Sequence, residues 1–219
     1  MLVIITGKSA SGKDTIKNEL VKNGFIPIVG HTTRPMRDTE QQDREYHFLK
    51  DEEWNENDFI ESRLYKTKDK EGNEVEYKFG TPKKELDTDK NYVCIKESMG
   101  AKTLQDYYGK DNTLTFYIDA PYRIRTQRAY NRALQSPDFN EKKWEIEWDN
   151  RRVTDEREYS DTSYADIIFH NYSMQQGIEY DFDKTMKGFI DLCTTWCEMK
   201  QNSNETPNLE NLLDTLDDR

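Results

Sequence analysis

Three shortages in this chain each close off a class of function. The first is of long apolar runs. The opening MLVIIT stops after a few residues at glycine and lysine, and no later stretch is long and uncharged enough to cross a bilayer. Neither a signal peptide nor a membrane partner is expected, and the chain reads as cytoplasmic. The second shortage is of cysteine. Cys94, Cys193 and Cys197 are the whole complement, and the last two stand four apart on an expected helix. Such a pair is a poor disulfide, and without further ligands it is a poor zinc site, so all three read as reduced structural thiols. The third is of positive charge: 32 Lys and Arg stand against 43 Asp and Glu, a formal net charge of -11. A nucleic-acid polymer needs a basic field, so none is expected as a partner. A mononucleotide needs only a local cluster of cations.

The 219 residues suffice for one substantial core with small appended parts. Leu2 to Thr6 reads as a strand buried on both faces of a parallel sheet. Asp14 to Asn23 places Ile16, Leu20 and Val21 at helical spacing, with Gly24 as the C-terminal cap. Further strands are expected at Tyr92 to Lys96, Leu114 to Asp119 and Asp166 to His170, and helices near Arg123 to Leu134, Glu141 to Glu158 and Tyr180 to Lys200. This alternation predicts an α/β fold with a parallel sheet flanked by helices. Two segments break it. Residues 31–84 are polar, aromatic and turn-rich, with KDKEGNEVE as an expected hairpin, and residues 124–150 are helical and Arg-rich. Residues 201–219 read as a flexible acidic tail, with a short amphipathic helix at Leu209 to Leu216. There is no internal repeat.

The first motif with chemistry is GKSASGKDT, residues 7–15. It nearly spells G-x-x-x-x-G-K-[ST], a loop whose backbone N–H groups cradle nucleotide phosphates. Gly7, Ser9, Ala10, Ser11, Gly12, Lys13, Asp14 and Thr15 are its candidate nucleotide-binding residues. N–H groups from Ser9 to Lys13 can meet phosphate oxygens, the following helix aims its positive end there, and Lys13 can reach the β- and γ-phosphates. Asp14 stands where a hydroxyl usually meets magnesium. It can hold a water of the magnesium shell, while Thr15 offers its hydroxyl to the phosphates. Lys13→Ala is therefore expected to abolish turnover and Asp14→Ser to be mild.

The second motif is HTTRPMRDTEQQDREYHF, residues 31–48. Arg34 and Arg37 are three apart, and two guanidinium forks can grip one phosphate dianion, with Tyr46 adding a hydroxyl. Together with Y-H-F, this block resembles the guanosine monophosphate-binding segment of the guanylate kinase family, T-T-R-x-x-R-x-G-E followed by Y-x-F. The resemblance implies that Thr33, Arg34, Arg37 and Tyr46 bind the acceptor, supported by Glu40. Thr39 replaces the family's glycine, and Gly30 a serine that helps bind substrate. D-F-I-E, residues 58–61, is similar to the family's F-I-E, which implies that Glu61 reads the base. One carboxylate can accept both N1–H and the 2-amino group of guanine, which adenine does not present as a pair. F-G-T, residues 79–81, looks like Y-G-[ST]. Phe79, Gly80 and Thr81 would then line the acceptor site, with Tyr77 near enough in sequence to supply the hydroxyl that Phe79 lacks. C-I-K-E-S-M-G, residues 94–100, resembles D-x-D-x-Q-G loosely, with Ile95 and Glu97 at the two Asp positions and Gly100 closing it.

The likeness extends to a lid. R-A-Y-N-R, residues 128–132, resembles R-L-x-x-R, and Arg151 with Glu158 resembles the next lid segment, Arg152 being the rival. D-I-I-F-H-N resembles the family's last strand, ending at Asn171. The resemblance implies a P-loop core of residues 1–30, 85–123 and 151–200, a GMP-binding subdomain of 31–84 and a lid of 124–150. Lys13, Arg37, Arg132 and Arg151 would be catalytic, Arg128 and Asn171 would sit at ATP, and ATP with Mg2+ would be required. It implies a monomer or homodimer that phosphorylates GMP or dGMP. Two alternatives stay open: a kinase for a related phosphate ester, such as ribose 1,5-bisphosphate or a modified deoxynucleotide, and a non-catalytic binding module of the same fold.

Overall fold

Leu2–Thr6 (β1) is buried at every position. Its alternate side chains enter two different cores, because successive residues of a strand point to opposite faces of the sheet. Val3 and Ile5 pack with Ile16 and Leu20 of α1 (Lys13–Lys22) and with Phe189, Leu192 and Trp196 of α5 (Phe182–Asn202). Leu2 and Ile4 pack with Ala101 and Leu104 of α2 (Ser98–Tyr108). Each fully buried Val, Leu, Ile or Phe side chain among them contributes about 1.5–3 kcal/mol to the core that carries the site.

The computed structural model of the protein describes residues 1–37, 40–68, 73–173 and 180–202. Thr39, the 69–72 turn of the expected hairpin and the Leu209 to Leu216 helix lie outside the described residues. Between α1 and α2 run β2 (Ile26–Pro27), β3 (His31–Thr32), β4 (His47–Phe48), β5 (Phe59–Lys68), β6 (Glu74–Pro82) and β7 (Tyr92–Ile95). After α2 come β8 (Thr113–Asp119), α3 (Tyr122–Ala133), α4 (Glu141–Glu158) and β9 (Ile167–His170). One sheet has the order β2-β7-β1-β8-β9, with every pairing parallel. The α/β expectation and its parallel sheet are both met. A second sheet, β4-β3-β6-β5, is built on the long antiparallel hairpin of β5 and β6, whose register runs out to Lys68 opposite Glu74. β5 packs against α2, which sets the second sheet beside the first.

Gly24 ends α1 as expected. It adopts φ +91, its N–H reaches the Val21 carbonyl, and Phe25 N–H reaches Leu20. The three cysteines are buried free thiols, and burial pushes Cys94 and Cys197 up to about 12. Among the described residues no helix is long and apolar enough to cross a membrane. The functional residues follow the carboxyl ends of the parallel strands, where open α/β sheets form their crevice: the glycine loop after β1, Lys96 and Glu97 after β7, and Asn171 after β9.

Candidate active site

The loop after β1 has the shape its glycines permit. Gly7 sits at φ +140, and a Cβ there would lie 2.5 Å from the Ile118 carbonyl. Gly12 sits at φ +105 and leaves so little room that a Cβ would lie 2.2 Å from Asn171 Nδ2. Ala10 is also left-handed, at φ 59. From outside, four side chains clamp the loop. Asp155 accepts from Ser9 N–H at 2.9 Å and from the Ser9 hydroxyl at 3.0 Å. Arg125 pairs with Asp155 at 3.1 Å, reaches the Ser9 carbonyl at 3.2 Å, and is anchored on the Ala120 carbonyl. Arg128 and Asn171 Nδ2 both donate to the Ser11 carbonyl, at 3.1 and 2.7 Å, and Arg128 also holds the Asn171 carbonyl at 2.8 Å. Tyr180 donates to Asn171 Oδ1 at 2.6 Å.

This clamp corrects one expectation. The Ser9 N–H does not face a phosphate, because the buried Asp155 carboxylate takes it. Ser11 N–H is likewise spent, on the Lys8 carbonyl at 3.2 Å. Among the described residues, the N–H groups of Ala10, Gly12 and Lys13 have no partner. They sit at the positive end of α1, where an anion is favoured. Lys13 folds back, donating to the Gly7 and Lys8 carbonyls at 2.6 and 2.9 Å. Burial pushes its ammonium down to about 8; Asp14 and Asp155 oppose this, and Arg125 and Arg132 add to it. The side chain is thus a stored cation awaiting an anion.

Beyond the loop lies an open cleft of about 460 Å³, walled by Lys13, Asp14 and Lys17, by the β5–β6 hairpin, by the residues after β7 and by the end of α4. Glu61 also lines it. Its Oε1 accepts from the Thr81 hydroxyl and from Lys96 Nζ at 2.9 Å, and Lys96 Nζ also donates to Thr81. Burial opposes ionisation of Glu61, yet the Lys96 charge and the two hydrogen bonds outweigh it and hold the carboxyl below its ordinary range. Glu97 caps α2 through Gly100 N–H at 3.2 Å, and Arg63 lies 3.6 Å from both Glu97 and Glu158. Tyr46 and Phe79 meet edge to face at 5.6 Å, with Gly30 against the Tyr46 ring and Gly80 facing Phe59 and Trp54.

The expected acceptor residues are therefore divided. Tyr46, Glu61, Phe79, Gly80 and Glu97 line the cleft, and Thr81 stands behind Glu61. Arg34, Arg37 and Glu40 do not line it. Arg34 is held by Glu40 at 2.8 Å and by the Pro35 carbonyl, with its guanidinium over the Tyr46 and Phe48 rings. Its side chain is 13% exposed, whereas that of Arg37 is 71% exposed. The Arg34 hydrogen bond keeps the Glu40 carboxyl below its usual range. Thr33 is a second correction: it does not line the cleft, its N–H donates to the Lys78 carbonyl and its hydroxyl oxygen accepts from Lys78 N–H, at 3.0 Å each, which leaves only the hydroxyl proton to donate. Gly100 is a third, buried in the first turn of α2 with its N–H spent on Glu97. Tyr65, not Tyr77, presents its ring to the cleft, opposite Phe79 at 6.3 Å.

Of the expected lid residues, Arg132 is exposed in the last turn of α3, near enough to depress Lys13. Arg151 shares a face of α4 with Asp155 and Glu158, four and seven residues on. Its rival Arg152 is occupied by Asp149 and Glu156, at 2.9 and 3.0 Å. The sequence reading missed Asp155, Arg125, Lys96, Arg63 and Lys17. Helical spacing could have found two of them, since Asp155 lies between Arg151 and Glu158 on one face, and Arg125 lies one turn before Arg128.

Residues 1–85 match the sequence model of the family described as guanylate kinase. The guanylate kinase of Clostridium tetani is 30% identical over 146 residues, covering 62% of this chain and 65% of that protein. The guanylate kinase of Porphyromonas gingivalis is 30% identical over 132 residues, covering 55% of this chain and 65% of that protein. The matched part thus spans just under two thirds of either relative. The fold is similar to the crystal structure of guanylate kinase from Anaplasma phagocytophilum, with a TM-score of 0.57, 18% identity, and 89% of this chain and 85% of that one covered. Over part of its length this chain is similar in sequence to guanylate kinases, and its fold is similar to that of one of them.

Proposed function

From that relationship we propose that the chain is an ATP-dependent kinase that transfers the γ-phosphoryl group of ATP to GMP or dGMP. One observation supports the reading: the glycine loop with its lysine and the Glu61 carboxylate, expected to read the base, line the same cleft. The acceptor is a phosphate oxygen, already anionic near neutral pH, so no general base is required. What the reaction needs is neutralisation of two polyanions, in-line alignment and exclusion of water. Ala10, Gly12 and Lys13 offer N–H groups to the donor phosphates, and Lys13 swings from its loop carbonyls onto them. Arg34 and Arg37 grip the acceptor phosphate once Glu40 and the Tyr46 ring release Arg34 toward the cleft. Arg132, from the last turn of α3, and Arg151, from the middle of α4, close over the transferring group.

Magnesium bound with ATP supplies charge neutralisation at the phosphates. Among the described residues no cluster of three or more His, Cys, Asp or Glu could cage an ion alone. Asp14, the carboxylate in the first turn of α1 that lines the cleft, would hold one of its waters, with Thr15 beside it. That donor set suits a hard cation carried by the nucleotide and its own waters.

A second reading, a kinase for a related phosphate ester, is favoured by Phe79 and Gly30, which offer no hydroxyl to a GMP, and by the Lys96 ammonium beside Glu61. The test is ADP formation from ATP with GMP, dGMP, AMP, UMP or ribose 1,5-bisphosphate as sole acceptor. The proposal expects turnover with GMP or dGMP and little with AMP or UMP. Turnover confined to ribose 1,5-bisphosphate transfers the function to the second reading, and ATP consumption independent of any acceptor refutes both.

A further inference from the structure

The cleft wall holds a grouping that the kinase reading leaves unexplained. Lys96 and Glu61 form an ion pair at 2.9 Å with side chains only 13% and 16% exposed, and Thr81 bonds to both. An ammonium carries three N–H donors. Two are spent here, one on Glu61 Oε1 and one on the Thr81 hydroxyl, and among the described residues the third has no partner. Glu61 is divided in the same way. Its Oε1 accepts from both Thr81 and Lys96, and Oε2 has no partner among the described residues. The wall therefore offers one carboxylate oxygen next to one charged donor, and not a carboxylate with two free oxygens.

Resting on the GMP-kinase reading, we propose that Lys96 determines base specificity by donating to O6 of a 6-oxopurine while Glu61 Oε2 accepts its N1–H. An N–H adjacent to a C=O is the edge that an acceptor–donor pair matches. Adenine, held in the same orientation, sets its 6-amino group against the ammonium, donor against donor, and its bare N1 against the carboxylate. The 2-amino group of guanine gains little, because Oε1 is already occupied. The substrate class thus widens from guanine nucleotides to 6-oxopurine monophosphates, and selection moves from the 2-amino group to O6.

The experiment compares kcat/KM at pH 7 for GMP, IMP and 6-thioguanosine monophosphate. The thio compound keeps N1–H and the 2-amino group but replaces O6 by sulfur, a weak acceptor. For the unaltered chain, IMP is expected within about tenfold of GMP, and the thio compound about 10- to 100-fold below it, the range for losing a hydrogen bond to a charged donor. In Lys96→Met the thio-to-oxo ratio approaches one, and in Lys96→Arg, which retains a charged donor, the penalty persists. A role confined to holding Glu61 in place would lower all three substrates together and leave that ratio alone. An unchanged ratio in Lys96→Met, or no thio penalty in the unaltered chain, overturns the assignment while GMP turnover keeps the kinase reading standing. Absence of GMP turnover removes both. Should Lys96→Met not fold, the thio penalty of the unaltered chain decides alone.

Discussion

Asp155→Asn is the most informative single change. Asp155 and Arg125 are 5% and 4% exposed, and their ion pair is joined to Ser9 N–H, the Ser9 hydroxyl and the Ser9 carbonyl. An amide can keep its oxygen on Ser9 N–H and Arg125 and donate its NH2 to the Ser9 hydroxyl oxygen, but it leaves the Arg125 charge buried without a counterion. Breaking one side of a buried pair costs about 3–5 kcal/mol. At the lower figure the melting temperature falls by about 6–12 °C, on 2–4 °C per kcal/mol for a chain of this size. Urea denaturation measures the stability, and calorimetric titration with ATP measures the loop. The double variant Arg125→Met with Asp155→Leu removes both charges. It is expected to return to within about 1 kcal/mol of the original stability, since apolar replacement of a buried pair is often neutral. It should not recover ATP affinity, because Ser9 still lacks its anchor. If Asp155→Asn unfolds within about 0.5 kcal/mol of the unaltered chain and binds ATP as well, the clamp is not what shapes the loop.

Three further outcomes follow from the same geometry. Lys13, with its pKa pushed down to about 8, is largely neutral above that pH in the empty chain, and ATP phosphates favour its charged form. ATP binding at pH 8.5–9 should take up a fraction of a proton, visible as a buffer-dependent binding enthalpy and absent in Lys13→Met; affinity should weaken as pH rises through 8, and a buffer-independent enthalpy contradicts the reading. Gly12→Ala combines a left-handed φ with a Cβ 2.2 Å from Asn171 Nδ2, whereas Gly188→Ala on α5 meets nothing within 4 Å. The first should lower ATP affinity at least about tenfold, and the second should raise stability by about 0.5–1 kcal/mol in urea denaturation. Lys13→Ala should abolish turnover while Asp14→Ser remains active, and equal losses in steady-state kinetics would contradict the placing of the metal chiefly on nucleotide and water.

Features written within a few neighbouring residues were legible in the sequence. The apolar β1, the glycine spacing after it and the cap at Gly24 each depend on local geometry, and α4 spans Glu141–Glu158 as its pattern implied. The lining of the cleft was legible where short motifs carry it, as with Tyr46, Glu61 and Phe79. It was illegible where partners come from far apart. Asp155 meets Ser9 across 146 residues, and Lys96 meets Glu61 across 35. Thr33 misled because a residue within a binding motif looks available until sheet pairing sets its N–H and its hydroxyl oxygen on the Lys78 backbone. Arg34 and Arg37 look alike in sequence, yet Glu40 and the Tyr46 and Phe48 rings bury one and leave the other in solvent.

The cleft is lined by Lys13, Lys17, Arg63 and Lys96 among carboxylates, and on this account it holds two anionic nucleotides end to end once Arg34 and Arg37 turn toward it. A crystal structure of the chain with GMP and a non-hydrolysable ATP analogue tests this most directly. The account predicts Lys13 off its loop carbonyls and on the donor phosphates, Arg34 and Arg37 on the acceptor phosphate, and the guanine edge against Glu61 and Lys96. Arg34 still closed on Glu40 and Arg37 still in solvent, with GMP bound elsewhere, would contradict it.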